Sequence, residues 1–217
     1  MSIRPIKFQS GATPTMEGAG VHLHRVFGFG DTDMFDPFLM MDDFRNDDPE
    51  QYLKGFPWHP HRGIETITYV LKGNVEHADS LGNKGVLSDG DVQWMTAGSG
   101  IIHQEMPTGN AAGQMHGFQL WANLPRDQKM CTPRYQDVKS ADISSLTDDD
   151  GTHIRVIAGD YRGYCGPVDG IDTDPIYLDI AMPANSTRRF PFDTRRQGFA
   201  YIFEGSANFG NASDPFG

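Results

Sequence analysis

Residues 56–65 read FPWHPHRGIE and place His59 and His61 two apart, with Glu65 four residues further on. Residues 90–107, GDVQWMTAGSGIIHQEMP, repeat the spacing with His103 and Glu105. In an extended strand, residues i and i+2 share a face. Two such pairs on neighbouring strands would bring three imidazoles and a carboxylate to one point. That donor set suits one divalent transition ion, and Fe(II), Ni, Cu, Mn and Zn are all compatible with it. Four protein ligands leave positions open on a five- or six-coordinate ion, where a substrate or O2 could bind. A single HxH does not make a site, because two imidazoles on a strand can equally belong to a core or a surface. The second pair makes the first into half of a site. Spacing alone leaves the carboxylate open, since Glu65 and Glu105 both have suitable parity.

The elements that would position these residues are strands. Short β-branched or alternating runs recur along the chain: VHLHRVFGF, ETITYVLKG, DVQWMTAG, GFQLWANL, HIRVIAG, PIYLDIAM and GFAYIFEGSANFG. Turn clusters such as SLGNKG, LSDGD and TAGSG separate them, and long helical periodicity is hard to find. This pattern predicts an all-β sandwich or barrel. In ETITYVLKG the odd positions, Glu65, Ile67, Tyr69 and Leu71, make the better core face, the parity of His59 and His61. The odd face is therefore expected to point into the barrel with the two imidazoles. The polar stretch SADISSLTDDDGTH, 140–153, is expected to be a connector between two units.

The chain has 217 residues, enough for one large β domain or two smaller ones. Its formal charge of −11 argues against direct binding to phosphate backbones, so any role at DNA would pass through a protein partner. No run of 18 apolar residues is present, so no membrane-spanning helix is expected. The opening MSIRPIKFQSGATP lacks an apolar h-region, so no signal peptide is expected. Cys131 and Cys165 lack metal or redox spacing and read as free thiols in a reducing, cytoplasmic setting.

Four stretches carry a resemblance: DPFLMMDDF (36–44), FPWHPHRGIETITYVLKG (56–73), GDVQWMTAGSGIIHQEMP (90–107) and MHGFQLWANLP (115–125). In type and order they resemble the pirin family of the cupin superfamily, with weaker similarity through YLDIAMPANS and FAYIFEGSA. The resemblance implies two tandem jelly-roll β-barrels, an N-terminal one over 1–135 with the metal site and a metal-free C-terminal one over 136–217. It implies His59, His61, His103 and Glu105 as ligands, Fe(II) as the first choice of ion, and Glu105 as the catalytic group. Glu65 is then a polar residue beside the site. No histidine follows His153, so the C-terminal part cannot rebuild a three-histidine site. Only 77 residues follow position 140, against the ~100 that eight strands and their turns need. The second barrel is therefore expected to be truncated, with open edges covered by a partner copy in a homo-oligomer, or partly mobile.

The resemblance also implies an activity, the O2-dependent opening of a flavonol such as quercetin by a 2,4-dioxygenase that releases carbon monoxide, with Glu105 taking the hydroxyl proton. Met95 and Phe118, with Trp58, Trp94, Met106 and Trp121, are candidates to line a pocket for a flat aromatic. His77 and His116 are candidates to surround the ligands. The alternative role is a metal- or redox-responsive regulator that binds another protein, with no essential catalysis. His22 and His24 form a further HxH, expected on an edge or inter-domain strand without a metal. His153 is expected to be exposed.

Overall fold

Glycine-rich turns cut the chain into short strands. The computed structural model describes residues 4–171, 173–193 and 195–210. Sixteen strands form among them: β1 (Thr13–Glu17), β2 (Val21–Phe27), β3 (Phe38–Asp43), β4 (Phe56–His61), β5 (Ile64–Lys72), β6 (Val75–Asp79), β7 (Lys84–Leu87), β8 (Val92–Thr96), β9 (Ile101–Pro107), β10 (His116–Asn123), β11 (Arg134–Val138), β12 (Ser144–Thr147), β13 (His153–Ala158), β14 (Asp160–Tyr161), β15 (Tyr164–Cys165) and β16 (Tyr177–Ala181). The one α-helix among the described residues, α1 (Thr32–Phe35), is a single turn. No helix among them is long and apolar enough to cross a membrane.

A seven-stranded antiparallel sheet runs β1-β2-β3-β10-β5-β8-β11, and a four-stranded one runs β4-β9-β6-β7. They face each other in a jelly-roll-like sandwich: Thr68 on β5 reaches Glu105 on β9 at 2.7 Å, and Trp121 on β10 meets His61 on β4. The C-terminal part adds the three-stranded sheet β12-β13-β16 and the β14-β15 hairpin. The fold is thus all-β, as the strand pattern predicts. The supposed connector contains β12, paired with β13 and anchored by buried Leu146. The seven-stranded sheet ends at Val138, past residue 135, and a 3-10 turn follows at Ser140–Asp142. We propose that turn as the division between the two units.

Strand β5 is covered on both sides, so Glu65 to Val70 are all buried. This changes the parity expected of it. Ile67 and Tyr69 turn away from the barrel into a core shared with Trp94, Phe118, Leu120 and, from the C-terminal part, Ile157, Ala158 and Val168. Thr66 and Thr68 face inward, aligned in register with Trp121 and Gln119 on β10. Both faces of β5 are buried and both mix polar with apolar residues, so burial gives no alternation from which the inner face could be chosen. Strand β2 also departs from expectation: β1 covers it, so it is not an edge, although His22 and His24 are exposed on it.

The shared core is tied by polar groups. Tyr69 donates its hydroxyl hydrogen to Asp179 at 2.6 Å and accepts from Arg155 at 2.9 Å. Arg155 also donates to the Gly90 carbonyl, and Tyr201 to Asp43 at 2.9 Å. Burial and the neighbouring Asp179 raise the Tyr69 hydroxyl well above its ordinary pKa, so it stays protonated and able to donate. Tyr69→Phe keeps the ring but removes the hydroxyl that donates to Asp179 and accepts from Arg155. A loss of about 1–3 kcal/mol is expected, or roughly 2–10 °C in thermal midpoint for a chain of this size. An unchanged melting curve would contradict this tie.

Candidate metal centre

Strand β4 is an edge strand that carries Pro57 and Pro60, residues an edge tolerates because their missing N–H groups are not needed for pairing. A register shift between Phe56 and His59 puts Phe56 opposite Glu105 and His59 opposite His103. Bulges of this kind re-aim side chains beside sites. Gly63, at φ +71°, turns the chain from β4 into β5 in a conformation that other residues rarely adopt.

Three imidazoles result from this placement. The His59–His103, His59–His61 and His61–His103 ring centroids lie 4.4, 4.8 and 5.0 Å apart. One ring nitrogen from each lies within 4.8 Å of the other two. His59 Nδ1 is 2.8 Å from the Pro57 carbonyl, which can only accept, so Nδ1 carries the hydrogen and Nε2 is free to ligate. His103 Nδ1 lies 3.2 Å from His77 Nε2. His103 is fully buried, and its Nε2 has no hydrogen-bond partner among the described residues. A buried ring nitrogen that bonds to nothing, between two further imidazoles, fits a metal ion.

Electrostatics favours ligation. Burial first, then repulsion from His103 and His59, lowers the His61 pKa to about 4. Burial, with His59 and His77, lowers that of His103 to about 3. Both rings are therefore neutral at neutral pH, the state that binds a cation.

Glu105 is buried on the same face of β9 as His103, but its oxygens are not among the close set of ligand atoms. Thr68 Oγ1 lies 2.7 Å from Glu105 Oε1 and 2.7 Å from Gln119 Oε1. One hydroxyl hydrogen cannot serve two acceptors. The consistent arrangement has the Gln119 amide NH2 donating to Thr68 and Thr68 donating to Glu105. Oε1 of Glu105 is thereby held, and Oε2 is left to act.

A cavity of about 470 Å³ opens beside the triad, lined by His59, His61 and Glu105 and walled by Leu23, Met40, Phe44 and Trp121 among others. Of the other residues singled out in the sequence, His77 is beside the site, stacked on Tyr135 at 4.9 Å and touching His103. Glu65 is on the face of β5 opposite Thr66 and Thr68, and its carboxylate accepts from Thr96 at 2.7 Å. Phe118 and Trp94 lie in the shared core, because their strands turn those faces outward. His116 also faces that side, where Arg45 donates to its Nε2 at 3.1 Å and Phe203 packs on it. Met95 packs with Ala97 and Ile101 and does not line the cavity, while Trp58 is exposed. Of the aromatic candidates, Trp121 is in the wall. Arg25, Asp42, Thr68 and Gln119 also line the cavity and were not expected there. Only Gln119, a lone polar residue in GFQLWA, carries a local signal; Arg25, Asp42 and Thr68 each have polar neighbours in their own strands.

Residues 20–122 match the profile of the family described as Pirin. A "Pirin-like protein" of Caulobacter vibrioides is 44% identical over 206 residues, covering 94% of this chain and 74% of that protein. The chain belongs to the pirin family. A Pseudomonas aeruginosa relative named "Putative quercetin 2,3-dioxygenase" is 44% identical over 197 residues, 89% of this chain and 69% of its own. A solved structure of quercetin 2,3-dioxygenase from Acinetobacter baumannii is 35% identical with a TM-score of 0.62, over 75% of this chain and 60% of that one. This pirin therefore spans three quarters or less of the length of these relatives. The names of the last two number the reaction 2,3, where the family resemblance implied 2,4.

Neutral imidazoles should bind an ion without shedding many protons. At pH 6, three free imidazoles of pKa near 6.5 would release about two protons on metal binding. For this pirin, calorimetric titration with a divalent ion in buffers of different ionisation enthalpy should give fewer than about one. A release of two or more would contradict the lowered values at His61 and His103.

Proposed function

We propose that this pirin is a metal-dependent dioxygenase that opens a flavonol such as quercetin with O2. The observation that carries this reading is the unanswered, buried Nε2 of His103 beside His59 and His61, two imidazoles that line a cavity large enough for a small aromatic. The names of the relatives support the same reaction class. His59, His61 and His103 would hold the ion, with Glu105 as fourth ligand and Fe(II) as first choice among the ions these donors suit. Bound there, the ion supplies Lewis acidity and a template for the oxygen ligands.

The protein's own groups perform the remaining work. Glu105, with Oε1 held by Thr68, presents Oε2 to take the proton of the flavonol hydroxyl. The chain from Gln119 through Thr68 keeps that carboxylate from rotating away. Trp121, 4.8 Å from the His61 ring, and the apolar walls exclude water from the ring under attack.

The test is loss of flavonol absorbance under O2, with the protein loaded in turn with Fe(II), Ni, Cu, Mn and Zn. Turnover is expected with at least one ion. Glu105→Gln should lower it about 100-fold or more, the usual worth of a positioned base. Absence of turnover with all five ions would contradict the enzymic reading.

A further inference from the structure

The inner face of the seven-stranded sheet carries a line of polar residues that metal binding does not account for. Arg25 on β2 pairs in register with Asp42 on β3, Asp42 with Gln119 on β10, and Gln119 with Thr68 on β5. All four line the same cavity as His59, His61 and Glu105. Strands lie about 4.8 Å apart, so Asp42 stands roughly 10 Å across the sheet from Thr68, which holds Glu105. The cavity thus has two polar poles, with Met40, Phe44 and Trp121 among the apolar residues of its wall.

At the second pole, Arg25 grips Asp42 through Nε–Oδ1 at 2.8 Å and Nη2–Oδ2 at 2.9 Å, and Nη2 also reaches Glu17 at 2.9 Å. Asp42 is buried, at 3% exposure, whereas Glu17 is open to solvent at the rim. Arg25 Nη1 makes no hydrogen bond or ion pair among the described residues. One cation and two carboxylates leave the group with a net charge of −1.

We propose that Arg25, Asp42 and Glu17 form a second polar subsite, which binds the phenolic hydroxyls at the far end of a flat aromatic ligand whose near end lies at the imidazole triad. The proposal rests on the flavonol reading given above and names the kind of flavonol. Arg25 Nη1 donates to a phenolic oxygen, and phenolic O–H groups donate to the carboxylates. Two adjacent hydroxyls, a catechol, match both roles at once. The net negative charge turns away ligands that carry a carboxylate or phosphate at that end.

The test is equilibrium binding without O2 to the metal-loaded protein, followed by ligand absorbance. The probes are quercetin, which carries a catechol on its pendant ring, and the flavonol with no hydroxyl on that ring. The wild type should bind quercetin about tenfold or more tightly than the second probe, the worth of one hydrogen bond to a charged group. Combining Arg25→Gln with Asp42→Asn removes both charges together, so no lone ion stays buried. That double variant should bring the ratio to about one and leave affinity for the second probe unchanged. Glu17→Gln, at the exposed rim and without consequence for folding, should raise affinity for a flavonol bearing a carboxylate on the pendant ring several-fold. It decides the matter if the double variant does not fold. Equal binding of both flavonols by the wild type overturns the subsite and leaves the flavonol reading standing. So does an unchanged ratio in the double variant, or a Glu17→Gln protein indifferent to the acid. Failure of both flavonols to bind the loaded wild type overturns both.

Discussion

A buried ring nitrogen with nothing to bond to costs on the order of 1–3 kcal/mol, and His103 Nε2 is such an atom. The structure around it is arranged to keep it in place. The pairing of β4 with β9 sets His59 opposite His103, the bulge before His59 turns both β4 imidazoles inward, and His77 occupies the far nitrogen of His103. Without an ion, this arrangement is three imidazole rings crowded together around an unpartnered nitrogen. With one, each of those features is explained. The low pKa values of His61 and His103 express the same constraint, because a protonated ring there would be both desolvated and repelled by its neighbours.

The rest of the molecule supports that arrangement from behind. The four-stranded sheet that bears the three imidazoles packs over the seven-stranded sheet, which supplies Thr68 to hold Glu105. The seven-stranded sheet is in turn backed by the C-terminal part, through the Tyr69–Asp179–Arg155 tie and the aromatic layer that includes Phe118 and Phe203. The C-terminal part carries no ligand in this account. It covers the outer face of β5 and β10, so that their inner face can carry polar groups within a sheet that is buried on both sides.

What could be read from the sequence depended on whether the signal was local. The candidate pairs were legible because i, i+2 spacing on a strand is a local rule; of their members, His59, His61 and His103 converge, and Glu105 lies outside that close set. The all-β class was legible from turn spacing. The inner face of β5 was not, because the strand is buried on both sides and each side mixes polar with apolar residues. For that reason Phe118 and Trp94, chosen as pocket residues, belong to the other core, and Glu65 sits behind the sheet. Arg25, Asp42, Thr68 and Gln119 were missed for another reason: they lie on four different strands. They form a row only once long-range pairing sets the register, and no window of sequence contains that register.

The central claim is that His59, His61, His103 and Glu105 hold one divalent ion. Elemental analysis of the purified protein tests it most directly. The account predicts close to one transition-metal ion per chain in the wild type and none in His103→Ala, with both proteins folded. Full occupancy retained in His103→Ala, or a wild type that takes up no ion when all five candidates are offered, would contradict it.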